Sequence, residues 1–207
     1  MYRMTRGALA AAVWTIMVGG CEQIVDGGAE SVGLHFDYSG AMAGSFVSSG
    51  IAAIPGNGIP PMQTFAMAQR DSIGGLLLGS FRRTGEGRGD LFILQLRGTS
   101  AGGYTCGGVA GVPSCYGHLY VGVDAGSGTA TAETIYGISG GEVVLTEVRP
   151  TRATGTFGLT LHDLEDDEAV LTIMEGTLDV PVVEGVFTSS FGCFIKRLEE
   201  GPTAACD

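Results

Sequence analysis

Lysine is nearly missing from this chain. Ten of its 11 basic residues are arginine, and Asn57 is the only asparagine, a bias that matches a GC-rich genome better than any function. Basic side chains are few altogether, 11 against 22 acidic ones, for a formal net charge of −11. Nucleic-acid binding relies on clustered Lys and Arg against phosphates, so no nucleic-acid partner is expected. A polybasic contact with anionic lipid is excluded on the same ground. Aromatic residues make up 8% of the chain, and Trp14 is its one tryptophan. No stretch reaches the roughly 18 consecutive apolar residues that signal a membrane-crossing helix. An Asn-x-Ser/Thr sequon is absent, and so is any run of convincing 3.6-residue periodicity. No catalytic, cofactor or metal signature stands above background, so no enzymatic activity, no cofactor and no metal site are expected.

What the chain does carry begins at its N-terminus. Arg3 and Arg6 form a short positive region, residues 8–18 are free of charge, and Val18-Gly19-Gly20 places small residues before Cys21. The apolar run is too short for the ~20 residues of a spanning helix, so it reads as a cleaved signal and not an anchor. With cysteine at the cleavage point, the segment resembles the lipobox of bacterial lipoproteins, with valine where leucine is commoner. That resemblance implies lipid on the Cys21 thiol and cleavage just before it. It also implies two or three acyl chains, enough for stable anchoring where a single chain binds only marginally. Ordinary secretory cleavage would fit Val18 and Gly20 too, but it would leave an odd cysteine among five. With residues 1–20 removed, 9 basic and 22 acidic side chains remain, or −13. Glu22 follows the cysteine. In the sorting rule of enteric bacteria an aspartate there retains the protein at the inner membrane, so the outer membrane is expected.

Residues 22–33 (EQIVDGGAESVG) read as a tether whose full extension is about 40 Å. From residue 34 to 207 the signal is β-structure. Leu34, Phe36 and Tyr38 alternate with polar neighbours, and similar runs recur at 64–70, 75–82, 90–97, 119–124, 142–148, 154–162, 169–175 and 185–191. Phe157, Leu159 and Leu161 should face one side of their strand, and Thr156, Thr160 and His162 the other. Glycine-rich connections at 84–89, 124–128 and 139–141 suit hairpins that need positive φ. The 36 glycines disfavour long helices. These features predict one all-β domain, a single antiparallel β-sandwich or flattened barrel of about nine or ten short strands.

The segments FAMAQRDSIGGLLLGSFR, RGDLFILQL, GGYTCGG, SGGEVVLTEV, ATGTFGLTL and VLTIMEGTLDVPV, in that order, resemble a family of uncharacterised bacterial lipoprotein β-domains. The similarity covers roughly residues 42–190. Its motifs are strands and turns, so it implies location and fold and supplies no site.

Four cysteines remain after Cys21, and an exported chain meets an oxidising compartment. Three connectivities are possible, and spacing favours the sequence-local pairs Cys106–Cys115 and Cys193–Cys206. Other motifs weigh less. Gly137-Ile138-Ser139-Gly140-Gly141 spells Gly-x-Ser-x-Gly, but the strand-like Glu142-Val143-Val144-Leu145 follows it where a hydrolase needs a helix. Arg88-Gly89-Asp90 reads as a glycine-rich hairpin opening a strand. Residues 163–168 gather five carboxylates between two strands, without the glycine of a calcium loop. His35, His118 and His162 fall in different strands without zinc spacing. The expected role is a non-enzymatic binding or structural module of the bacterial cell envelope, held to the membrane by its N-terminal lipid and contacting an envelope protein or glycan. The alternative is a lipocalin-like carrier with a hollow core for a small apolar ligand.

Overall fold

Period-2 alternation governs the fold. In the strand running Arg152–Asp163, Ala153, Gly155, Phe157, Leu159 and Leu161 are buried, while the residues between them are partly exposed. The computed structural model describes residues 33–51, 63–72, 74–107, 114–124, 130–185, 187–201 and 203–205. The elements are β1 (Gly33–Gly40), β2 (Gly44–Ser48), β3 (Phe65–Arg70), β4 (Leu76–Gly85), β5 (Arg88–Leu96), β6 (Gly102–Gly107), β7 (Cys115–Asp124), β8 (Thr134–Val148), β9 (Arg152–Asp163), β10 (Val170–Pro181) and α1 (Ser189–Glu200). The strands form one sheet in the order β2-β1-β10-β9-β8-β6-β7-β5-β4-β3. Pairings are antiparallel except for the parallel contact of β6 with β7 at Cys106 and Cys115.

The two ends of this sheet approach each other. Ala66 donates its N–H to the Gly50 carbonyl at 3.0 Å, and Val183 donates to Ala68 at 2.8 Å. Inside the seam, the buried hydroxyls of Ser48 and Ser80 hydrogen-bond to each other. Of the two architectures the alternation allows, the chain adopts the nearly closed barrel. Such closure leaves little exposed sheet edge for aggregation.

Phenylalanine fills the interior. Phe36 of β1 stacks on Phe46 of β2 with ring centroids 4.9 Å apart, and meets Phe92 of β5 at 5.2 Å and Phe157 of β9 at 5.7 Å. Phe92 and Phe157 lie 5.9 Å apart. β1 and β5 are far apart in the sheet order, so these rings touch across the lumen. All four are buried, and each ring contributes about 1.5–3 kcal/mol through burial, with ring pairing in addition.

Two regions differ from the sequence reading. In the segment 185–191, expected as a strand, Ser189 to Phe191 instead form the start of α1. Phe187, Phe191, Phe194, Ile195 and Leu198 recur at helical spacing, and they pack on Phe65, Met67, Phe81, Leu91, Ile93 and Tyr120 outside the barrel. Gly201 ends the helix at φ 98°, donating its N–H to Arg197. Likewise, 139–141 is not a hairpin turn but lies within the 15-residue β8. Its first part pairs with β7, and after an irregularity between Ile138 and Gly140 the strand pairs with β6. Gly141 makes the change possible. Its φ is 112°, and a Cβ there would stand 2.1 Å from the Gly158 carbonyl oxygen. Strands β2 and β6 also went unpredicted.

Candidate functional site

On the outer face of β7, Tyr116, His118 and Tyr120 point away from the lumen, and α1 lies over the sheet beside them. Two residues seat the start of the helix. Gln69 of β3 accepts the Phe187 N–H at 2.7 Å, and Gly79 of β4 leaves room for the Phe187 ring. Between helix and sheet runs a cleft of about 370 Å³. Its apolar walls come from Leu77, Ile93, Phe187, Phe191 and Ile195, and its polar groups from Gln95, Tyr116, His118, Tyr120, Thr188 and Glu199. An apolar hollow with a few convergent polar groups is the usual form of a ligand site.

Those polar groups are connected. Tyr120 donates its hydroxyl to Glu199 Oε1 at 2.7 Å, and His118 Nδ1 lies 3.5 Å from the same oxygen. The imidazole stands against the Tyr120 ring, centroids 5.7 Å apart. Burial lowers the His118 pKa, and the Glu199 charge opposes this only in part. For Tyr120, burial, the hydrogen bond to Glu199 and the Glu199 charge all raise the pKa, so the phenol remains a donor. Burial thus favours the neutral imidazole of His118 and the neutral phenol of Tyr120. A neighbouring hollow lined by Asp71, Gln95, Arg97 and Tyr116 extends the surface, and the Arg97 guanidinium lies 5.8 Å from the centre of the Tyr116 ring.

Cys106 and Cys115 form a disulfide beside the inner core. Cys193, on α1, is also disulfide-bonded. Its partner is neither Cys106 nor Cys115, which hold each other, and Cys206 lies outside the described residues, as does Cys21. Ser139 lies within β8 and donates to the Thr160 carbonyl, away from any strand-to-helix turn. Asp90 of the Arg-Gly-Asp triplet is buried against Arg82. In the acidic connection, Asp163 and Asp166 accept the backbone N–H groups of Glu165 and Glu168, so two of its carboxylates hold the turn. Among the described residues no group of three or more His, Cys, Asp or Glu is placed to hold a metal ion. His35 and His162 lie apart from the cleft, near Asp37 and the Asp167 carbonyl respectively.

By sequence His118 reads as an ordinary strand residue, and nothing marks Tyr120 or Glu199 as its partners. The only local signal was the alternation Tyr116-x-His118-x-Tyr120, polar aromatic groups on one strand face. Comparison with family models, curated proteins and solved structures finds no match for this chain.

Proposed function

We propose that the chain is a lipid-anchored, non-enzymatic module of the bacterial cell envelope, held through Cys21 and binding on the outside of its barrel. The signal-like segment ahead of Cys21 supports the location, with the outer membrane favoured by Glu22. The contact of Phe36 with Phe92 and Phe157 carries the choice of an outer binding surface over an inner one, because rings meeting across the lumen occupy the space a carried ligand needs. The external cleft at His118, Tyr120 and Glu199 is the surface best equipped for recognition, and an envelope protein, a glycan or a small molecule is the partner class.

The test is organic extraction of the purified full chain followed by mass spectrometry. The module reading expects no stoichiometric apolar ligand beyond the acyl chains on Cys21. A reproducible one-to-one apolar molecule would instead establish the carrier.

A further inference from the structure

The character of the cleft's ligand can be taken further, on the reading that this cleft is where the domain binds. Gly192 lies inside α1, where glycine is less stable than alanine. A helical glycine is commonly kept for a positive φ or for close contact with a neighbour. Gly192 is not among the positive-φ glycines, and a Cβ on it would meet no described atom within 4 Å. It lines the cleft together with Thr188, Ile195 and Glu199, which lie on the same stripe of the helix. A larger residue there would fill the hollow, so the glycine keeps open a space that packing alone would close.

Charge then selects the occupant. All the contacts described for Glu199 fall on Oε1, and a carboxylate can accept about four hydrogen bonds. Its side chain is only 33% exposed, so a charged donor reaching it gains more than it would at an open surface. Tyr116, exposed at the edge of the cleft, offers a ring that already takes the Arg97 cation. An anion would meet Glu199 and a strongly acidic protein.

We propose that this cleft binds an organic ammonium, a protonated amine on an apolar body, with its nitrogen on Glu199 and its body along Ile93, Phe191 and Ile195.

The test is calorimetric titration of the full chain near neutral pH with three probes of similar shape: phenethylammonium, 2-phenylethanol and 3-phenylpropionate. The ammonium should bind about tenfold more tightly than the alcohol, and the carboxylate most weakly. Glu199→Gln, which keeps an acceptor for Tyr120, should bring ammonium and alcohol to within about twofold of each other. Gly192→Leu should abolish binding of all three, with circular dichroism confirming that each variant is folded. Equal binding of ammonium and alcohol to the native chain, a preference that survives Glu199→Gln, or no binding of any probe would overturn the proposal. Equal binding that Gly192→Leu removes would refute the ammonium and leave the cleft as the binding surface. Binding that Gly192→Leu leaves intact would refute both.

Discussion

Arg82 and Asp90 stand opposite each other on β4 and β5, and their side chains meet inside the barrel, Nη2 to Oδ2, at 2.7 Å. The guanidinium also reaches the Tyr38 hydroxyl at 3.2 Å and lies over the Phe46 ring, while Asp90 Oδ1 accepts the Gly122 N–H. The pair stands at the end of the lumen beside the stacked rings, where a bare charge would be costly. Asp90→Asn should cost about 3 kcal/mol, since it leaves Arg82 largely desolvated without its counter-charge. Replacing both residues with apolar ones of similar volume should cost much less. Urea denaturation checks this, and a single variant as mild as the double would show that the pair is not effectively buried.

Acid should weaken the fold through His118. Its ordinary pKa is 6.5, and burial holds it lower in the folded chain. Below pH 6.5 the unfolded chain takes up a proton that the folded chain resists, so stability is complete above that value and falls as pH drops toward the folded-state pKa. His118→Gln should flatten this part of the profile. Denaturation midpoints across the window, for both proteins, measure the difference. A native chain that gains stability in acid would show instead that the pairing of imidazolium with Glu199 outweighs burial.

Reduction of the Cys106–Cys115 bond releases a short loop, nine residues apart in sequence. The chain-entropy account puts the loss at about 2–3 kcal/mol, or less if burial of the two thiols compensates. Cys106→Ala/Cys115→Ala, compared with the parent by denaturation, reads the cost. An unchanged midpoint would show that the β6–β8 and β7–β8 ladders hold this end of the barrel unaided.

Part of the barrel was legible because strands such as β9 keep one face partly exposed, whereas β3, β4 and β5, covered outside by α1, are buried on both. Phe157, Leu159 and Leu161 declare their side in β9 by alternation alone. Elsewhere the same letters permit two structures. The glycines at 139–141 suit a hairpin or a bend within a strand, and only the pairing of β8 with both β7 and β6 decides between them. Helix α1 was obscured because its apolar stripe starts inside a segment that alternates like a strand and continues past Gly192. The cleft was harder still. Tyr120 and Glu199 are 79 positions apart, and they meet only because the phenylalanines of α1 dock on the outer face of the sheet.

The account turns most on Cys21, the residue proposed to hold the domain at a membrane. The decisive measurement is peptide mass spectrometry of the chain isolated from membranes of its natural host or a close bacterial relative. The predicted result is a mature chain whose first residue is Cys21 carrying two or three acyl chains, with Cys21→Ser unprocessed or released. An unmodified cysteine at the mature N-terminus would contradict the account.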